Sequence, residues 1–420
     1  MVNANIIGII YYLFCWFFVQ KPLIIMKFSK LSESVFESLT LSISAKAKQL
    51  KAEGKSVIAF TAGEPDFDTP DFVKQSAIRA IEAGYTKYTP TVGILELREA
   101  ICKKLKRDNG LTYGVDEVIV STGAKTSIYH VLLAILDQGD EVILGAPYWL
   151  TYPEQITIAR GVPVIVDTTA DGYKLTVEQL EKALTPKTKA IIINSPSNPT
   201  GTMYSVEELA KIADFAVKND LLVVSDEIYE KLSYGKKHVS IASISEEIKK
   251  RTIVINGVSK AYSMTGWRIG YAAADKSIVK KMATMQSHIT SNACTISQYA
   301  ALSAIDGGEQ FAKDARAIFA ARRLLMLEFF KTLDGVTFPQ PDGAFYMFLN
   351  VSKYYGAMYK GKKIDGSMSF ADCLLDHGVA VIPGLPFGDD NSIRLSYAVS
   401  ERDILEGFIR IKDFLSQLER

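Results

Sequence analysis

Between residues 116 and 275 short apolar runs alternate with helix-like segments, and no other feature restricts the fold of this chain as strongly. The runs are 117–121, 141–144, 163–167, 190–194, 221–225, 252–255 and 269–273. Short and rich in Val and Ile, they read as strands. Amphipathic stretches such as 177–184 and 206–219 lie between several of them. Strands that alternate with helices predict an α/β domain on a mostly parallel sheet.

Sheets of this kind bind ligands outside the carboxyl ends of their strands. Chemistry-bearing residues follow the runs here. After 118–121 comes Thr122-Gly123-Ala124-Lys125, a glycine turn opening a helical pattern from Thr126, whose backbone N–H groups suit a phosphate. Run 141–144 leads to Pro147-Tyr148-Trp149, and run 190–194 leads to Ser195-Pro196-Ser197-Asn198-Pro199-Thr200-Gly201. Run 221–225 leads straight to Asp226-Glu227-Ile228-Tyr229. A carboxylate so close to apolar chain needs a partner, either a helix N-terminus or a cation; an N-cap aspartate is the ordinary case. Run 252–255 ends at Asn256-Gly257, with Lys260 just beyond and Arg268 eight residues further on, past Thr265-Gly266. A lone lysine in such a place is ordinarily solvated, and it reacts only when partly desolvated and able to lose its proton.

The rest of the chain sets bounds. Its 420 residues fit two or three domains. Lys and Arg number 48 against 47 Asp and Glu, which gives no support for nucleic acid or an anionic membrane as a partner. Cys15, Cys102, Cys294 and Cys373 form no CxxC or Cys/His cluster, so reduced thiols, a cytoplasmic protein and no metal are expected. The scattered His130, His238, His288 and His377 read as neutral structural or surface residues. Residues 356–363 nearly match a phosphate-binding loop, but they end in Lys-Lys and follow no clear strand, so that reading is discarded. Residues 6–19 are unbroken apolar chain, shorter than the ~20 residues of a membrane span and lacking signal-peptide flanks. The expectation is that residues 1–26 are an apolar extension from a start-site artefact, with translation beginning at Met26; a signal anchor is the alternative.

The spacing G-V-S-K-x-x-S-M-x-G-x-R-I-G over residues 257–270 resembles the pyridoxal-phosphate (PLP) lysine signature of the class I aminotransferases. With NSPSNPTG at 194–201, VSDEIYE at 224–230 and AGEPDFDTP at 62–70, the chain from about Phe28 onward is similar to fold-type I aminotransferases. The resemblance is to the bacterial and plant aspartate aminotransferase branch, which also holds prephenate aminotransferases. It implies a large PLP-binding domain over 72–307, with a mostly parallel seven-stranded sheet between helices. A smaller α/β domain would combine 27–71 with 308–420, and the protein would be a homodimer with shared active sites. It further implies that Lys260 forms the Schiff base and carries the proton. Asp226 would pair with the pyridine nitrogen, Tyr229 and Asn198 would hydrogen-bond the ring hydroxyl oxygen, and Trp149 would stack on the ring. Gly123, Ala124, Lys125 and Arg268 would hold the phosphate; Gly257 stands where many members carry a serine to that group. Tyr88 would reach the phosphate in the other subunit. Gly63 and Arg394 would hold the substrate α-carboxylate, Arg394 lying on the more polar face of an alternating strand over 392–397.

The expected reaction is transamination between aspartate and 2-oxoglutarate. The other main aspartate branch reads the distal carboxylate with an arginine in the segment that here is QSHITSN, and no arginine occurs between Arg268 and Arg316. In the branch this chain resembles, Lys125 and Thr40 match the residues that do so; otherwise Lys125 is a helix-start lysine adding only charge near phosphate. An aromatic, kynurenine or prephenate aminotransferase remains open, as does a PLP-dependent lyase on the same fold. A PLP or amino-acid sensor of the regulatory kind would need a DNA-binding domain ahead of residue 28, where the chain is apolar.

Overall fold

The computed structural model describes residues 26–37 and 39–419; the apolar stretch 6–19 and Cys15 lie outside the described residues. Contacts divide the chain at Phe36. Ahead of that point the described residues carry one helical turn, Lys30–Glu33, capped by Ser29. From Glu37 on the chain is one compact unit.

All seven apolar runs are strands of a single sheet: β1 Val118–Ser121, β2 Glu141–Ala146, β3 Val162–Asp167, β4 Thr188–Asn194, β5 Leu222–Asp226, β6 Thr252–Gly257 and β7 Gly270–Ala273. Their order is β1-β7-β6-β5-β4-β2-β3. Neighbours are parallel except β7, which runs antiparallel to both β1 and β6. The named helices of this unit are α1 Leu39–Ala52, α2 Leu95–Asn109, α3 Ala124–Ile135, α4 Thr151–Ile158, α5 Val206–Lys218, α6 Glu309–Phe330 and α7 Glu401–Ser416.

Successive side chains in a strand point to opposite faces, and both faces here are apolar. Ile119, Val142, Leu144, Ile192, Val224, Ile253 and Ile255 pack with Ile128, Val131 and Leu132 of α3 and Ile156 of α4. On the other face Ile143, Ile191, Ile193 and Val223 pack with Leu209, Ile212 and Phe215 of α5. Val118, Val120 and Val254 join Leu97 and Ile101 of α2 on that same side. Burial on both faces is why the strands read as continuous apolar runs instead of an alternation.

A second sheet is antiparallel: β8 Tyr346–Asn350, β9 Ile382–Pro383 and β10 Ser392–Ser396, ordered β9-β10-β8. Every residue of β10 is buried, so the polar side that carries Ser392, Arg394 and Ser396 and the apolar side that carries Ile393 and Leu395 both face protein. Its core joins Phe319, Met326 and Phe330 of α6 to Ile404, Ile411 and Phe414 of α7, with Phe60 and Tyr229 in the same cluster. Residues 356–363, which nearly matched a phosphate-binding loop, form a hairpin in which Met358–Tyr359 pairs with Lys362–Lys363.

Among the described residues no helix is long and apolar enough to cross a membrane.

Candidate active site

The parallel strands all end on the same edge of the sheet, and β7 starts there. Ser121, Gly257 and Gly270 lie side by side in register, as do Asn194 and Asp226. The loops leaving these residues enclose a cleft of about 260 Å³. Thr40, Gly63, Ala124, Lys125, Trp149, Asn198, Asp226, Tyr229, Lys260, Arg268 and Arg394 all line it. Residues predicted from stretches hundreds of positions apart are thus brought together. Gly123 sits directly behind the Arg268 guanidinium. Tyr88 is not among the lining residues; its side chain is 90% exposed.

Four cations and one carboxylate face this space: Lys125, Lys260, Arg268 and Arg394 against Asp226. Such an excess marks a receptor for anions. Two of the four, Lys125 and Arg268, lie near the start of α3. Helix α3 begins at Ala124, two residues before the pattern in its sequence; the Ala124 and Lys125 N–H groups precede any intrahelical acceptor, while Thr126 N–H already donates to the Gly123 carbonyl oxygen at 3.0 Å. Arg268, held at φ 58°, donates to the Thr265 carbonyl oxygen at 2.8 Å. A Cβ on Gly123 would stand 2.3 Å from Arg268 Nη2, and one on Gly270 would stand 2.1 Å from the Ala124 nitrogen. The cradle therefore exists only with glycine at both positions. At Gly257 a Cβ would press on Gly270 Cα at 2.9 Å, so a serine there would need the neighbouring backbone to shift.

Asp226 is buried at the end of β5. It caps no helix: the chain turns instead, and its Oδ1 accepts the Ile228 N–H at 3.2 Å. Oδ2 accepts the Tyr152 hydroxyl at 2.8 Å. Both donors are neutral. Burial pushes the carboxyl up to about 6, against those two donors and Lys260 and with a further push from Glu227. Lys260 is half-buried and donates to the Gly63 carbonyl oxygen at 2.6 Å. Burial pulls its ammonium down to about 8; Glu64 and Asp226 oppose this, and Arg268 and Arg394 add to it.

Arg394 is 3% exposed. Its guanidinium lies 4.5 Å over the Tyr346 ring and 5.1 Å from that of Phe387. Nη1 donates to Asn198 Oδ1 at 2.9 Å, and burial lowers its proton affinity. Its hydrogen-bond acceptors are amide oxygens, those of Asn198 and the Thr61 backbone. At the other end Lys125 Nζ lies 4.9 Å over the Trp149 ring, its pKa lowered by burial and by Arg268.

Sequence reasoning missed Tyr152, Tyr346 and Asn194. Tyr346 meets the Tyr229 hydroxyl at 2.9 Å. Asn194 donates to the Asp226 carbonyl oxygen at 3.0 Å and accepts the Asn198 N–H at 2.8 Å, pinning the loop after β4 to the end of β5. Tyr152 stands three residues after Trp149, one helical turn, and that spacing was the available signal.

A sequence profile described as aminotransferase class I and II matches residues 55–411. An aspartate aminotransferase of Bacillus sp. (strain YM-2) is 50% identical over 382 residues, 90% of this chain and 96% of the relative. A probable aspartate/prephenate aminotransferase of Aquifex aeolicus is 47% identical, over 91% and 96% of the two chains. The chain belongs to the class I and II aminotransferases. Among solved structures, the aspartate aminotransferase of Rhizobium meliloti matches with TM-score 0.90 at 41% identity, covering 94% of this chain and all of that one. That of Thermus thermophilus, solved with maleate, matches with TM-score 0.88 at 41% identity, over 93% of this chain and 100% of its own.

The aminotransferases of this family depend on pyridoxal 5'-phosphate. The residues present fit that group. The cradle that a Cβ would fill suits a phosphate, and Asp226, buried with neutral donors only, is a carboxylate short of a cation.

Proposed function

We propose that this aminotransferase exchanges an amino group between aspartate and 2-oxoglutarate. The observation that carries the reading is the pair Arg394 and Lys125: two cations without a carboxylate partner, lining one cleft with Lys260. A dicarboxylic substrate offers one carboxylate to each.

In this reading Gly123, Ala124, Lys125 and Arg268 hold the cofactor phosphate, Trp149 covers its ring, and Asn198 and Tyr229 reach its hydroxyl oxygen. Bound there, PLP supplies the electron sink that makes a proton on the amino-acid Cα removable. Asp226, as an anion, would keep the ring nitrogen protonated. Lys260 would hold the group through its amine and would be the residue that moves the proton of the amino-acid Cα. Its lowered proton affinity keeps a share of the amine neutral near pH 8, as a general base requires. Arg394 takes the α-carboxylate in its planar fork, oriented by the two rings that flank it. Gly63 closes on the same carboxylate, and Thr40 with Lys125 receives the distal one.

Residues 72–307 would act as one body and 27–71 with 308–420 as another, closing on substrate and excluding water. A homodimer accounts for Tyr88, which in each subunit would serve the partner's cleft. The three described cysteines are free, in keeping with a cytoplasmic setting. Prephenate, a 2-oxo acid that is also a dicarboxylate, is a second candidate amino-group acceptor, favoured by the name of the Aquifex relative.

A single-turnover screen tests this. Holoenzyme is mixed with one amino acid at a time, without an acceptor, and the oxo acid released per subunit is measured. Aspartate should give stoichiometric oxaloacetate, and glutamate stoichiometric 2-oxoglutarate. Release from monocarboxylic amino acids alone would overturn the assignment.

A further inference from the structure

One buried residue that touches the cleft has no part in the roles above. Tyr152, in the first turn of α4, is 2% exposed. Its hydroxyl donates to Asp226 Oδ2 at 2.8 Å, and its ring meets that of Trp149 edge-on with centroids 5.3 Å apart. One side chain therefore joins the carboxylate assigned to the ring nitrogen and the indole assigned to the ring face. The same helix reaches the phosphate end, where Gln155 Nε2 donates to the Lys125 carbonyl oxygen at 2.9 Å.

The pairing has a direction. Burial and the neighbouring Asp226 push the Tyr152 phenol well above its ordinary pKa, so it keeps its proton at any working pH. A hydroxyl that cannot ionise beside a carboxylate is a standing donor, and donation favours the charged carboxylate over the neutral acid. Without it Asp226 would keep the Ile228 N–H alone on its carboxylate, while Glu227 next in the chain presses it toward the neutral form.

We propose that Tyr152 is a positioning residue for the cofactor: it holds Asp226 ionised and aimed at the ring nitrogen, and ties that aim to the placement of Trp149. This rests on the reading of Asp226 given above. It implies that losing the hydroxyl matters only while position 226 carries a charge.

The test is a double-mutant cycle on PLP affinity, measured by titrating cofactor-free protein and following absorbance and tryptophan fluorescence. Tyr152→Phe keeps the ring against Trp149 and removes only the donor. A hydrogen bond to a charged group predicts a loss of roughly tenfold or more in PLP affinity in the wild-type background. In the Asp226→Asn background the same change should cost less than about twofold, because the charge it serves is gone. The pH titration of the bound chromophore should also shift in Tyr152→Phe and stay put when Phe is added to Asp226→Asn. Equal losses in both backgrounds would reduce Tyr152 to packing and overturn the proposal, as would no loss in the wild type. If Asp226→Asn alone leaves PLP affinity intact, the Asp226 reading fails and takes this inference with it. If it weakens affinity while Tyr152→Phe does not, only the inference fails.

Discussion

Lys260 Nζ donates to the carbonyl oxygen of Gly63 at 2.6 Å, across 197 positions of sequence. The contact ties the reactive amine to the loop assigned to the substrate carboxylate. Borohydride reduction of the holoenzyme, followed by digestion and mass spectrometry, should place the PLP adduct on Lys260. Lys260→Ala should still bind PLP through the phosphate cradle while turnover falls by two orders of magnitude or more, since the Cα proton loses its carrier. An adduct on another lysine, or retained steady-state turnover, would remove Lys260 from its role.

Asp226 and Lys260 make the cofactor-free protein respond to pH in opposite windows. Asp226 carries a folded pKa of about 6 against an ordinary 3.8, so between these values the folded chain binds more protons and stability falls as pH rises. Lys260 carries about 8 against 10.5, so there the unfolded chain binds more protons and stability rises with pH. Cofactor-free Asp226→Asn should therefore melt higher than wild type at pH 7 to 8, by an amount worth up to about 3 kcal/mol. That gap should close as pH falls toward 4. A constant gap across the range, followed by differential scanning fluorimetry, would contradict the assignment.

Much of this was legible in the chain. Six of the sheet strands were visible because strands buried on both faces must be apolar throughout, and the part-exposed edge strand β3 was visible from its Val and Ile content; the sheet gathers the residues that follow them. The branch motifs named the side chains of the cleft. What stayed hidden was contact across sequence. The spacing of Tyr152 from Trp149 could have placed both at the cleft, but it does not show that the Tyr152 hydroxyl reaches Asp226, and nothing around Tyr346 shows that its hydroxyl meets Tyr229. Alternation within β10 put Arg394 on the side of Ser392 and Ser396, but burial of that side was not visible in the sequence. Asp226 looked like a helix cap because local sequence cannot tell a turn from a first helical turn. His130 and His238 were expected to be structural or on the surface; both are buried, and His238 Nε2 meets Glu227 Oε2 at 3.0 Å behind β5.

Arg394→Lys tests carboxylate recognition. The guanidinium is planar and lies between two aromatic rings, a slot an ammonium cannot fill, and a lysine offers no bidentate fork. The half-saturating amino-acid concentration should rise roughly 10- to 100-fold, the range for losing a charged hydrogen bond. PLP affinity of the same variant should change little. An unchanged half-saturation would show that the carboxylate binds elsewhere.

Lys125→Ala separates the two readings of that lysine. Receiving the distal carboxylate, it should matter for aspartate and glutamate and hardly at all for alanine or phenylalanine. Single-turnover rates should then fall at least tenfold more for the dicarboxylic donors. Equal losses across all donors would leave Lys125 a phosphate-end charge and nothing more.

Gly270 offers a test of the cradle that touches no charged group. A methyl there would stand 2.1 Å from the Ala124 nitrogen and 2.4 Å from the Gly123 carbonyl carbon, all backbone, so the start of α3 must move to admit it. The N–H groups proposed to hold the phosphate would move with it. Gly270→Ala should lower PLP affinity by more than tenfold and cost about 1–3 kcal/mol in stability, the usual range for overpacking. Gly266, four residues earlier on the same loop, has open space where its Cβ would go, so Gly266→Ala should change neither quantity. Because phosphate alone would feel the displaced helix, inorganic phosphate should also compete less well with PLP for Gly270→Ala than for wild type. Should Gly270→Ala lose stability yet bind PLP and phosphate as before, the N-terminus of α3 is a packing joint and the phosphate is held by other groups.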